Sequence, residues 1–354
     1  MDNETNFIER VSHIEMYVAN LFQTTYLYTK AFGFVIIGKQ NVEDYVSVLL
    51  KQSDVYIILT SSTNSKSFIS EQINLHGDFI KDIGFEVKKL ESIFSHATLN
   101  GFKQIAPIER IDFQGNKLIK AVIGTFGNTQ HTLIERIDCK KEFFLPGYPP
   151  VPSVVTSKQE VNLTHIDHIA VALEDINIWE KAYKDGLYLK RSYQEVIETQ
   201  YSGMSTIAMT SPNNSFKLVL TEAKKGLKIS QIEKFITYNN FSGGIQHLAF
   251  STPDIIKTIS LLKQNHIEFL STPSNYYDNL SEDIKSHFQS CFSQIQDLEI
   301  MIDKDENGYL LQIFTIFLQT RPTFFLEIIQ RENATSFGRN NILTLFRALE
   351  QQFK

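Results

Sequence analysis

Glu327 is an anion set in Phe324-Phe325-Leu326-Glu327-Ile328-Ile329-Gln330, with three apolar residues before it and two after. Burying an ionised carboxylate is costly unless a cation or a metal compensates it. Two histidines occupy similar surroundings: His168 in Ile166-Asp167-His168-Ile169-Ala170-Val171-Ala172, and His247 in Gly243-Gly244-Ile245-Gln246-His247-Leu248-Ala249-Phe250. Strand alternation predicts Ile166, His168, Ala170 and Ala172 on one face and His165 on the other. The two alanines leave room in front of the His168 imidazole. Two imidazoles and a carboxylate form the facial triad that holds non-haem iron(II) and leaves adjacent positions for substrate and dioxygen. Zinc more often recruits sulfur or further histidine, and calcium more oxygens. The three positions lie far apart in sequence, however, and a strand histidine is commonly an ordinary satisfied residue. Taken alone, the pattern leaves a metal centre and a set of paired core residues equally open.

The elements that must position these residues come in two copies. Ser12-His13-Ile14-Glu15-Met16-Tyr17-Val18 parallels Asp167 to Leu173, and a helical stretch follows each, ending at Phe32-Gly33-Phe34 and Asp185-Gly186-Leu187. Val55 to Thr60 parallels Phe216 to Thr221, Ile80 to Phe85 parallels Ile245 to Phe250, and His131 to Arg136 parallels Leu326 to Arg331. Short β-branched and aromatic runs predict strands, with single helices such as Asp254 to Asn265, where Ile255, Ile256, Ile259 and Leu262 keep helical spacing. Each half reads as paired βαβββ modules curling into an open cup. The first copy places His13, Asp82 and Thr132 at the three ligand positions. A threonine cannot replace a carboxylate ligand, so that half is expected to be metal-free scaffold.

Between the copies, Phe144 to Pro152 carries four of the nine prolines and predicts a break. The expected organisation is an N-terminal domain over 1–140, a linker over 141–160 and a catalytic domain over 161–354. A last helix is expected from about Asn341 to Phe353, with Ile342, Leu345, Phe346 and Leu349 on one face.

At 354 residues the chain exceeds one ordinary core, and 42% hydrophobic with 21% charged residues is a globular composition. A net charge of -6 supplies no basic field for nucleic acid. The 27 Phe and 14 Tyr suit strand-rich cores and, less directly, an aromatic ligand. Cys139 and Cys291 form neither a CxxC pair nor a disulfide framework. Met1 to Arg10 is polar, and no run approaches the roughly 18 apolar residues of a membrane span, so a cytoplasmic protein without membrane contacts is expected. Self-association is left open.

Several stretches resemble the 4-hydroxyphenylpyruvate dioxygenase family, which includes 4-hydroxymandelate synthase, within the vicinal-oxygen-chelate (glyoxalase/dioxygenase-like) fold. They are Ser230 to Glu233, Gly244 to Phe250, Gly308-Tyr309-Leu310-Leu311-Gln312-Ile313-Phe314-Thr315, Glu327 to Arg331, and Phe337-Gly338 with Asn341. The match is dense in the C-terminal half and looser in the N-terminal half. The resemblance implies an α+β fold of two such domains, each an open curled barrel, plus a C-terminal lid helix. It implies Fe(II) held by His168, His247 and Glu327, and a 4-hydroxyphenyl 2-oxo acid as substrate with dioxygen. Oxidative decarboxylation of that acid supplies the electrons, so no separate co-substrate is implied.

The same resemblance carries over pocket residues one by one. Gln312 and Phe314 are similar to a glutamine and a ring-stacking phenylalanine near the metal. Gln231 and Gln246 are similar to side chains that hold the distal hydroxyl or orient ligands, and Phe337 and Asn341 to a lid over the mouth. Departures occur at Thr221, where the dioxygenases carry asparagine, at Ile342, where they carry phenylalanine, and at Thr206, where serine is usual. A smaller Ile342 gives the substrate ring room to rotate and resembles the mandelate synthases. Benzylic hydroxylation to 4-hydroxymandelate is therefore expected over ring hydroxylation to homogentisate. Two other readings remain: a metal-free binder of aromatic compounds, which has no use for a buried Glu327, and an extradiol ring-cleaving dioxygenase, which leaves Gln312, Phe314 and the lid motif unexplained.

Overall fold

A computed structural model of the chain describes residues 7–151, 161–199, 201–273 and 275–344. The N-terminal half forms strands β1 (Ile8–Tyr17), β2 (Val35–Val42), β3 (Tyr45–Gln52), β4 (Val55–Ser62), β5 (Phe79–Val87), β6 (Lys103–Phe113), β7 (Asn116–Gly124) and β8 (Gln130–Asp138). The C-terminal half forms β9 (His165–Leu173), β10 (Lys190–Glu198), β11 (Gly203–Thr210), β12 (Lys217–Lys224), β13 (Gly244–Ser251), β14 (Met301–Lys304), β15 (Tyr309–Phe314) and β16 (Phe325–Glu332). Two eight-stranded sheets result, ordered β2-β3-β4-β1-β5-β8-β7-β6 and β10-β11-β12-β9-β13-β16-β15-β14. Adding eight to each label of the first sheet gives the second. The repeat read from sequence is therefore a repeat of topology.

Each sheet is a curled half-barrel with helices against its convex face, an α+β vicinal-oxygen-chelate architecture. Apolar side chains of both convex faces and their helices merge into one core, where Phe34 meets Phe250 and Phe85 meets Phe216 at ring centroids of 6.2 and 4.7 Å. The helical spacing predicted from Asp254 forms Ile255–Gln264, with the Asp254 carboxylate capping its N-terminus.

The register makes the equivalences specific. His168 stands opposite Ala249, and His13 stands opposite Gly84. Glu327 is level with Ala249 across β13–β16, and His247 pairs with Ala170 as Asp82 pairs with Glu15. Both halves also carry the same irregularities: β9 bulges at Asp167 where β1 bulges at Ser12, and β13 bulges at Gln246 where β5 bulges at Lys81.

Those bulges correct one sequence expectation. The extra residue in a bulge turns two consecutive side chains toward the same face. Asp167 and His168 thus lie together, and Ile166 packs into the convex-face core instead of sharing the cup with His168. Period-two alternation does not survive that irregularity.

The halves diverge after Leu99 and Gln264. A short turn leads from Leu99 to β6, whereas three short helices, Asn275–Asp278, Glu282–His287 and Phe292–Asp297, precede β14. Residues 143–148 return across the concave face of the first sheet, where Phe144, Leu145 and Tyr148 pack on Leu49, Ile58, Leu118 and Ile134. Residues 152–160 of the expected linker lie outside the described residues, as do Leu345, Phe346, Leu349 and the rest of the expected last helix. Its beginning is helical from Arg339 to Thr344.

Candidate metal centre

Three central strands of the second sheet bring the triad together. β9 supplies His168, β13 supplies His247 and β16 supplies Glu327, and one ligand atom from each lies within 4.8 Å of the others. His168 Nε2 is 3.3 Å and His247 Nε2 is 3.4 Å from the same carboxylate oxygen of Glu327. Burial pushes the Glu327 carboxyl up, but the two imidazoles outweigh it and hold the group down at about 2. Burial pushes His247 down, while against the same penalty Glu327 and Asp167 leave His168 raised.

The donor set fits a divalent transition metal. His168 Nδ1 is engaged by Asp167 Oδ1 at 2.9 Å, which leaves Nε2 as the nitrogen facing Glu327. Asp167 is in turn gripped by Arg331, with Nε at 2.7 Å and Nη2 at 2.9 Å. A ligand imidazole whose other nitrogen bonds a carboxylate is the recurring arrangement of metal sites.

Around the triad, His168, Ala170, Met204, Thr206, Val219, Thr221, Gln231, Gln246, His247, Gln312, Phe314, Phe325, Glu327, Phe337 and Ile342 line one cavity, whose water-accessible volume is about 50 Å³. Gln312 and Phe314 share a face of β15. The bulge turns Gln246 into the cup beside His247. Gln231 opens the helix Gln231–Tyr238, whose start is fixed by a capping box between Ser230 and Glu233. Phe337 sets its ring edge-on to His168 at 5.1 Å, and Ile342 packs beside Ala170, Val219 and Phe337.

Buried polar atoms without a partner concentrate here. Thr206 Oγ1, Gln231 Oε1, His247 Nδ1 and Gln312 Oε1, all on residues lining the cavity, are buried and unbonded. Such atoms cost free energy until something pairs with them, and their convergence on one cavity is the signature of a polar ligand site.

Two expected pocket residues are differently employed. Thr221 donates its hydroxyl to the Val171 carbonyl at 2.8 Å, which spends it on the backbone. Asn341 does not line the cavity: its Oδ1 accepts from Tyr276 at 2.6 Å, anchoring the covering segment to the helical insertion. Sequence reading missed Phe325, which stacks on His247 at 4.8 Å, along with Met204, Val219 and the Asp167–Arg331 pair. Only the place of Phe325 two residues before Glu327 on one strand face could have indicated it.

The Glyoxalase/Bleomycin resistance protein/Dioxygenase superfamily model matches residues 165–313. The 4-hydroxyphenylpyruvate dioxygenase of Neurospora crassa is 34% identical over 99% of this chain and 93% of its own length. That of Xenopus tropicalis is 33% identical over 96% and 90%. This chain belongs to the 4-hydroxyphenylpyruvate dioxygenase family. A solved triple mutant of 4-hydroxymandelate synthase from Streptomyces coelicolor matches with a TM-score of 0.87 and 26% identity, over 98% of this chain and all of that one. The chain is accordingly an enzyme, an oxygenase of this family. Among the described residues, no helix is long and apolar enough to cross a membrane.

Proposed function

We propose that this protein is an iron(II) oxygenase that converts 4-hydroxyphenylpyruvate and dioxygen to 4-hydroxymandelate and carbon dioxide. The observation that carries the reading is the convergence of His168, His247 and Glu327 beneath a cavity rimmed by unpaired polar atoms and aromatic rings. The names of the family relatives supply the substrate class.

In this reading His168, His247 and Glu327 hold iron(II), which supplies a chelation site for the 2-oxo acid and the chemistry of dioxygen reduction. The remaining work belongs to the side chains of the cup. By the family resemblance Gln312 orients the substrate's polar head, while Gln231, Gln246 and Thr206, which line the same cavity, pair with its other oxygens. Phe314 and Phe325 press on the ring, and Phe337 closes the wall beside His168 and excludes water. Ala170 keeps the floor open.

The product assignment rests on Ile342. It lines the cavity where the dioxygenases of the resemblance carry a larger phenylalanine, so the ring is free to turn its benzylic carbon toward the metal. Homogentisate is the second reading, favoured by the dioxygenase names of the sequence relatives. The two products are isomers, so mass does not separate them and chromatography does. Iron-loaded protein should consume oxygen only with 4-hydroxyphenylpyruvate present and yield mainly 4-hydroxymandelate. A dominant homogentisate peak overturns the product assignment, and absence of bound iron in metal-replete protein overturns the oxygenase reading. Ile342→Phe should move product toward homogentisate; an unchanged ratio removes this residue from product control.

A further inference from the structure

Arg331 makes two sets of contacts that belong to different parts of the molecule. One is the bidentate grip on Asp167, whose Oδ1 holds His168 Nδ1. The other runs from Nη1 to the carbonyls of Ala334, at 3.1 Å, and Ser336, at 2.6 Å, in the segment leading onto the cavity. The guanidinium carbon also lies 5.5 Å from the centre of the Phe337 ring, the ring that stands edge-on to His168. With 15% of its side chain exposed, and 4% for Asp167, the pair is shielded and its geometry is firm.

The first half of the chain separates these two functions. Arg136, at the equivalent end of β8, also hooks the carbonyls of the returning chain, at Phe143 and Phe144. Its partner for charge is Glu86, not the residue before the histidine, because that residue is Ser12. The carbonyl hook is common to both halves. Of the two halves, among the described residues, the arginine–carboxylate–imidazole chain exists only where the triad does.

We propose that Arg331 is a positioning residue that couples the segment covering the cavity to the metal-facing imidazole of His168 through Asp167. Closure of residues 334–344 and orientation of the ligand are then one event. Seating the segment aligns Asp167, Asp167 fixes the tautomer and the ring plane of His168, and the aligned ring gives Phe337 its edge-on surface. The inference rests on the reading of His168 as a metal ligand.

The test uses full-length protein titrated with cobalt(II), a spectroscopically visible stand-in for iron. Its readouts are cobalt affinity, the visible absorption band and hydrogen exchange of amides 334–344. Wild-type protein should bind cobalt at the triad and slow exchange in that segment on binding. Arg331→Gln should weaken cobalt binding about 10- to 100-fold, the scale of partners that orient ligands. It should also abolish metal-dependent protection of the segment. Arg331→Lys should restore part of the affinity, since it keeps the charge but not the bidentate fork. Asp167→Asn should lose the same coupling, and the double variant should be no weaker than the worse single one. This second route stays informative if Arg331→Gln fails to fold. Additive losses, or protection that persists in both variants, overturn the coupling while leaving the metal site standing. Cobalt binding unaffected by Glu327→Ala instead overturns the metal reading and this inference with it.

Discussion

The two cups of this chain share strand order, bulges and register, yet one is open and the other filled. Alanines at 170 and 172 leave the floor of the second cup clear; the matching positions in the first carry Glu15 and Tyr17. Asp82, in the place of His247, accepts hydrogen bonds from the Thr132 hydroxyl and amide at 2.5 and 2.9 Å and from Gln130 at 2.7 Å. It is satisfied within its own sheet and calls for no cation. Among the described residues, Glu327 has only two imidazoles beside it. The chain after each last strand also returns over its cup, with Phe144 edge-on to His13 and Phe337 edge-on to His168. The difference teaches that a site here is an emptied position as much as an installed one.

The sharpest way to break the comparison is to remove its two anion-position residues in turn. Glu327→Ala should lose bound metal and drop oxygen uptake by more than about 100-fold, beyond what loss of an orienting partner costs. Thr132→Ala should leave both unchanged. Metal analysis and an oxygen electrode distinguish the two, and equal effects would end the claim that only the second cup is catalytic.

The next test copies the first cup into the second. Ala170→Glu places a carboxylate on the cavity floor, where it repels an anionic 2-oxo acid. A like charge at close range costs several kcal/mol, so substrate affinity should fall at least about 100-fold with the fold intact by circular dichroism. Undiminished substrate binding would show that the cup's openness does not matter.

A smaller effect concerns stability. Burial pushes the Glu15 carboxyl up to about 7, opposed by the Thr60 hydrogen bond and by Lys81 and Lys120, and reinforced by Asp82. The folded state therefore holds this proton more tightly than the unfolded chain. Stability should fall as pH rises from about 4.5, with the loss complete above about 7. Glu15→Gln removes that loss, so denaturant midpoints should favour the variant by about 1–3 kcal/mol at pH 8 and hardly at all at pH 4. A constant difference would refute the assignment.

Smallest in scope is Gly84→Ala. The His13 ring lies over Gly84 so closely that a methyl group there would collide with it, whereas the matching Ala249 is native beneath His168. The variant should lose about 1–3 kcal/mol through overpacking and no catalysis. Calorimetry and steady-state rates check both halves of that statement.

Much of this was legible in the sequence, for a physical reason. A carboxylate among apolar residues, two strand histidines and a duplicated pattern are local facts, and each carries a cost or a periodicity that survives folding. They pointed to the repeat, singled out the three residues and supported the expectation of a metal-free first half, while the family resemblance made those residues the implied ligand set. The β-bulges were not legible, because one inserted residue reverses facing without altering composition; Ile166 was misplaced for that reason, and the way Gln246 and His247 both reach the cup was hidden. Tertiary structure alone decided that Thr221 spends its hydroxyl on Val171, that Asn341 answers to Tyr276, and that Arg331 reaches Asp167 across 164 residues. Those are partnerships between distant segments, and no local rule of charge or spacing selects which of many polar groups will meet.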